Sequence, residues 1–321
     1  MGQSYAYATG SIRARETALL QPSDLEQLAA ASGERELLTL LKGKGYGESG
    51  DAQTIDALLK HEEERLWAYV DDIAPDPHLL DAFRIRHDVH NAKVVVKAIL
   101  ANRVYEELLL YPVTIDPKEL ETSVKEHRFS VLPHWLAEPF EKAYELLVQT
   151  GDAQQADAVL DRAAMEEMLA AARRTGDPLL RQLIEQTILF QNMKIVLRSA
   201  RVGKGSRFLE TTLCPCPGMD PEAWILAVRD GEEALLKQLE TVSRDAVEAF
   251  RQSPSAFEKW VDNTLMEQAR RAKRVTIGAS VLVGYFMAKE REMQAVHLIA
   301  CGIRIGLDRE QIRERGRILY G

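Results

Sequence analysis

Apolar residues recur along much of this chain at the three-to-four spacing of helices. Between 51 and 70, Ile55, Leu58, Leu59, Leu66 and Val70 share one face, and Asp51 stands where a helix N-terminus favours an acid, so the spacing predicts an amphipathic helix from Asp51 to Val70. Two prolines between Ala74 and Pro77 end it, and a second helix is expected through Phe83 toward Leu100. The β-branched run Val94-Val95-Val96 belongs to the same helical period as Val89, Ile99, Leu100 and Val104, and the alternation that marks strands is nearly absent. The expected fold class is all-α. The longest apolar stretch, Ile277 to Ala288, has 12 positions, short of the roughly 20 that a membrane-spanning helix needs, and reads as a buried helix. Segments dense in glycine or proline, Gly43 to Gly50, Tyr111 to Pro117 and Leu213 to Pro221, read as linkers.

The helical pattern repeats. At an offset of 101, Asp51-Ala52-Gln53 falls on Asp152-Ala153-Gln154, Asp56-Ala57 on Asp157-Ala158, Leu59 on Leu160, Asp76-Pro77 on Asp177-Pro178 and Leu79 on Leu180. Asn91, Lys93 and Val95 then meet Asn192, Lys194 and Val196, and Lys97 meets Arg198. These make 12 identities without a gap, where composition alone predicts roughly three. A third copy is sparser: setting Gly203 on Gly302 brings Arg198 onto His297, Leu197 onto Val296 and Ala200 onto Ile299. Leu28, Gly33, Leu37, Leu38 and Leu41 recur 198 residues later as Leu226, Gly231, Leu235, Leu236 and Leu239. Three related helical repeats are therefore expected, at 1–110 (with the N-terminal helix), 111–212 and 213–321.

Composition narrows the function. Lys and Arg number 41 against 49 Asp and Glu, a net charge of −8, which argues against a nucleic-acid backbone as partner. The N-terminus lacks the apolar run of a signal peptide, and three cysteines, Cys214, Cys216 and Cys301, do not make a disulfide framework, so a reducing cytoplasm is the expected setting.

No motif nominates chemistry. Gly43-Lys44-Gly45-Tyr46-Gly47 and Gly203-Lys204-Gly205-Ser206 do not fit G-x-x-x-x-G-K-[ST] and no strand precedes them, so both read as inter-helix loops. His87, Asp88 and His90 could approach one helix face as metal ligands, but the second copy has Ile188, Leu189 and Gln191 there, which favours a hydrogen-bonded pair. Cys214-Pro215-Cys216-Pro217 reads as a rigid turn, and His61-Glu62-Glu63-Glu64 as a solvated helix face. No catalytic residue, cofactor site, metal site or small-molecule substrate is expected, and the protein is not expected to be an enzyme. The repeated cations stand out instead. Lys93 with Lys97, and Lys194 with Arg198, lie four residues apart on corresponding helices. In a threefold arrangement they could line a central opening for an acidic partner; the other reading is that they are solvated or paired with local carboxylates.

Two stretches carry a family resemblance. Tyr5-Ala6-Tyr7-Ala8 with Ile12-Arg13-Ala14-Arg15-Glu16, and Glu290-Arg291-Glu292 through Gly302 to Leu307, Ile312-Arg313-Glu314-Arg315 and Tyr320, resemble the two ends of the C subunits of V-type ATPases, whose eukaryotic relative is the d subunit. Asp88-x-His90-Asn91-x-Lys93 resembles the family's first-repeat signature. The resemblance implies a funnel of three helical domains in pseudo-threefold arrangement, on the inner face of the plasma membrane. It implies a passive adapter between the membrane rotor ring and the D and F subunits of the central stalk, transmitting torque for ATP-coupled proton or sodium transport. Where the family tends to carry Arg, this chain has His297, which puts an axial role of the third repeat in doubt. A helical binding module for another protein is the alternative.

Overall fold

The computed structural model describes residues 4–47 and 52–321. Among them sixteen α-helices and no strand are found, as the periodicity predicts. In chain order they are α1 (Tyr5–Glu16), α2 (Pro22–Ala29), α3 (Glu34–Gly43), α4 (Ile55–Ile73), α5 (Asp81–Leu100), α6 (Pro117–Lys125), α7 (His134–Thr150) and α8 (Ala153–Arg174). There follow α9 (Pro178–Val202), α10 (Ser206–Thr212), α11 (Pro221–Asp230), α12 (Glu232–Val242), α13 (Arg244–Gln252), α14 (Pro254–Ala269), α15 (Ala279–Arg304) and α16 (Arg309–Glu314). No helix among the described residues is long and apolar enough to cross a membrane.

Local chemistry sets the boundaries. Helices α2, α6 and α11 each open on a proline behind a polar residue, where the missing N–H costs nothing. Asp116 accepts the amide of Lys118 at 2.9 Å and Asp220 that of Glu222 at 3.1 Å, satisfying donors that the first turn leaves open. The expected start of α4 is corrected. Its cap is Thr54, whose hydroxyl accepts the amide of Ala57 at 3.2 Å, and Asp51 lies outside the described residues, as does part of the Gly43 to Gly50 linker. The helix also runs past Val70 to Ile73, stopping where Ala74 turns extended ahead of Pro75. The apolar stretch at Ile277 likewise starts late: α15 begins at Ala279 after Gly278, whose φ of 147° suits glycine, and Ile277 is 56% exposed.

Two boundaries coincide with the sequence offsets of 101 and 198. Ile73 ends α4 and Arg174 ends α8, positions 101 apart. Gly33 and Gly231 both precede a helix, α3 and α12, but only Gly231, at φ 106°, requires glycine.

The chain divides into two compact units, one of Met1–Pro77, Pro178–Leu183 and Asp245–Gly321, the other of His78–Asp177 and Ile184–Arg244. The first is organised by α15, against which α1, α2, α3, α4, α14 and α16 pack. Its N-terminal half, from Ser280 through Phe286 to Ala288, is buried on nearly every side, as expected of a stretch apolar all round, and Val296 and Ile299 continue the buried face. Trp67 of α4 meets Phe286 with ring centroids 4.6 Å apart. In the second unit α8 packs on both α5 and α7. Its buried face is rich in alanine (Ala156, Ala163, Ala164, Ala171, Ala172), which lets the neighbouring helices approach closely.

Candidate partner interface

The repeated cations occupy different settings. Helices α5 and α8 run antiparallel, so residue numbers rise on one as they fall on the other. Lys93 bonds the carboxylate of Asp161, and Lys97 that of Asp157 at 2.7 Å. Both cations thus have carboxylates from the same unit, in partly exposed pairs worth less than about 1 kcal/mol each. On α9, Lys194 is half-buried and Arg198 exposed, and no carboxylate among the described residues pairs with Arg198. His297 is exposed on α15 in the other unit, its Nε2 3.4 Å from the sulfur of Cys301. It lines a groove with Asp56, Glu63 and Glu290. The five residues therefore lie on three helices, divided between the two units.

The polar residues of the long helices do structural work that the repeat made visible. Asn91 on α5 donates its amide to the carbonyl of Leu110 at 2.9 Å and accepts the N–H of Leu110 at 2.8 Å. Asn192 on α9, its counterpart in the second copy, does the same for Cys214, at 2.7 and 3.0 Å. Each fully buried asparagine fastens a linker to the helix before it. Around Asn91 the clamp is larger. Asp88 accepts the amides of Thr114 at 2.8 Å and Ile115 at 3.1 Å and the Thr114 hydroxyl at 2.6 Å, while His87 and His90 meet the carbonyls of Pro112 and Leu108. Burial raises the Asp88 carboxyl above its ordinary range and these donors pull it back. The two histidines are thus engaged with backbone, and among the described residues no group of three or more ligands could hold a metal. Asn91→Ala or Asn192→Ala removes two buried hydrogen bonds and is expected to cost about 2 kcal/mol, lowering Tm by about 5 °C. Thermal unfolding checks this; an unchanged Tm for both variants would show that the linkers are held by other contacts.

The remaining motifs carry little reactivity. Burial pushes the thiols of Cys214 and Cys216 up to about 12 and about 11, so neither is a nucleophile near neutral pH. In the first glycine loop the amides of Lys44 and Tyr46 both bond the Leu41 carbonyl, that of Gly45 bonds Lys42, and that of Gly47 bonds Glu62, leaving none of these four for a phosphate.

One sequence expectation fails here. Glu62, expected on a solvated helix face, is buried. Its Oε1 accepts the Gly47 amide at 3.0 Å and Arg65 at 2.8 Å, and Lys289 of α15 stands 3.9 Å from its Oε2. Lys289 also bonds Glu292, which is 2% exposed and accepts in addition the Leu20 amide at 2.7 Å and the Tyr46 hydroxyl. Burial, then the neighbouring Glu292, raises the Tyr46 hydroxyl well above its usual range. The signal for Glu62 was present: it lies four residues from both Leu58 and Leu66 on the apolar stripe. Glu292 carried the same signal, lying four residues from both Ala288 and Val296.

Comparison with known proteins places this scaffold. A family model described as ATP synthase (C/AC39) subunit matches residues 8–315. The C subunit of the V-type sodium ATPase of Enterococcus hirae is 24% identical, the match covering 96% of this chain and 97% of that protein. The C subunit of the A-type ATP synthase of Methanocaldococcus jannaschii is 25% identical over 96% of this chain and 85% of its own length. That of the V-type ATP synthase of Thermus thermophilus is 24% identical over 98% of both. With a family match over nearly its whole length, and helices where the periodicity predicts them, the chain belongs to the ATP synthase (C/AC39) subunit family.

Proposed function

We propose that the chain is the non-catalytic central-rotor adapter of a V/A-type ATPase, seated on the membrane rotor ring at the inner face of the plasma membrane and receiving the D and F subunits of the central stalk. It transmits torque between ATP turnover and the movement of protons or sodium ions. It is built from three helical repeats, 1–110, 111–212 and 213–321, and the coincident ends of α4 and α8 support that division.

The observation that carries this reading is the use made of the repeated polar positions. Asn91 and Asn192 each fasten a linker to a long helix, and Lys93 and Lys97 pair with carboxylates of α8, so the repeated polar side chains of the first copy are engaged within the scaffold. A part that passes torque needs close packing and broad contacts rather than a reactive centre. Arg198 and His297 stay exposed at corresponding repeat positions, which leaves both available to acidic groups of a partner such as the stalk.

The test is co-purification of the tagged full-length chain from solubilised membranes. Ring and stalk subunits are expected together, and Arg198→Glu is expected to weaken recovery of the stalk while the ring stays bound. Recovery of neither would reject the adapter role.

A further inference from the structure

We propose that a cleft in the first unit binds a compact oxyanion, a phosphate or carboxylate group, with Arg15 as its anchor. This goes beyond the rotor role and does not depend on it. The cleft has a volume of about 700 Å³, within the roughly 300–1,000 Å³ of small-ligand sites. The end of α1, the turn after it, the loop at 43–46, α4 and α15 form its walls. Its charged lining is Arg15, Asp24, Lys44, Glu62, Arg65 and Lys289.

The carboxylates there are already engaged. Asp24 accepts the Gln21 amide at 2.7 Å and Lys44 at 2.6 Å. Glu62 is held by Gly47 and Arg65, and Glu292, behind the wall, by Leu20, Tyr46 and Lys289. Lys44, Arg65 and Lys289 are thereby matched. Arg15 is not: no carboxylate among the described residues pairs with it. Its guanidinium carbon lies 3.7 Å from the centroid of the Tyr69 ring, and its charge opposes the rise that burial gives the Tyr285 hydroxyl. The Tyr69 hydroxyl is fixed in turn by Ser11 at 2.7 Å.

Four cations (Arg15, Lys44, Arg65, Lys289) against three anions (Asp24, Glu62, Glu292) leave one net positive charge at the cleft, in a chain whose net charge is −8. A guanidinium over an aromatic face still has N–H donors to offer, and its planar fork matches a carboxylate or phosphate. Since the 44–47 amides are occupied, recognition falls to side chains, and one spare charge suits a compact ligand of low charge.

The test is calorimetric titration of the full-length protein with inorganic phosphate and, separately, acetate, at constant ionic strength. Saturable binding of one or both is expected, weakened about tenfold or more in Arg15→Ala and less in Arg15→Lys, and unchanged in the control Arg207→Ala. Saturation by phosphate alone assigns the site to phosphate groups; saturation by acetate alone assigns it to carboxylates. Arg15 is exposed, so its variants are expected to fold, which circular dichroism verifies; should the alanine variant misfold, Arg15→Gln replaces it. Failure of both ions to saturate by roughly 50 mM, or wild-type affinity in the Arg15 variants, would overturn the proposal.

Discussion

Glu292→Ala is expected to cost about 3–5 kcal/mol of stability, a large share of the roughly 5–15 kcal/mol that holds a typical protein folded. The carboxylate is 2% exposed and joins three segments: the Leu20 amide, the Tyr46 hydroxyl and the Lys289 ammonium. Its removal strands two donors and leaves Lys289 with Glu62 at 3.9 Å as its remaining carboxylate. The penalty combines the two stranded donors with a largely buried Lys289 charge that has lost its nearer partner, which gives the prediction a second arm. The double variant Glu292→Leu with Lys289→Met removes the charge as well as its partner and is expected to be less destabilised than Glu292→Ala. Urea unfolding of both variants decides. A loss below about 1 kcal/mol in Glu292→Ala would show that the network behaves like a surface ion pair.

Gly284→Val is the second large effect, and its cause is steric. A Cβ at position 284 would lie 2.2 Å from the Cβ of Ala272, 2.9 Å from the Tyr320 hydroxyl oxygen and 3.3 Å from the Ala269 carbonyl oxygen. The Ala272 contact and the Ala269 carbonyl are backbone-bound, so α15 itself has to move away from the turn at 269–272 and from the C-terminal segment. A loss of about 3 kcal/mol or more is expected, with Tm lowered by about 6 °C or more. Gly284→Ala should be milder, and adding Ala272→Gly to it should recover part of the loss, because the shortest contact is relieved. Thermal unfolding without such recovery would place the strain elsewhere.

What sequence disclosed follows from where each partner sits. The helices were legible because the 3.6-residue period and the prolines at 75 and 77 are local, and the end of α4 at Ile73 follows from them. The start of α4 was missed because Thr54 and Asp51 are both plausible caps until geometry selects one. Asn91 and Asn192 were marked by the repeat, yet their task was hidden: each clamps a backbone amide and carbonyl, and backbone partners leave no trace in residue identity. Lys93 and Lys97 were legible as a basic face, but the facing acids Asp161 and Asp157 belong to another helix, and the antiparallel register that aligns them is a tertiary fact. Glu62 was misread on its type, although its spacing with Leu58 and Leu66 marked it as inward. The Arg15 cleft draws on α1, α4, the loop between α3 and α4, and α15, from both ends of the chain, and no local pattern announces such a junction.

The proposed mechanical joining of ring and stalk is tested most directly by measuring ATP hydrolysis and ATP-driven ion transport together, in vesicles carrying the complex with and without this chain. Without it, the catalytic sector is expected still to hydrolyse ATP while ion transport is lost, and adding back the full chain is expected to restore transport. Transport that continues at the same ratio of ions to ATP in its absence would contradict the adapter role.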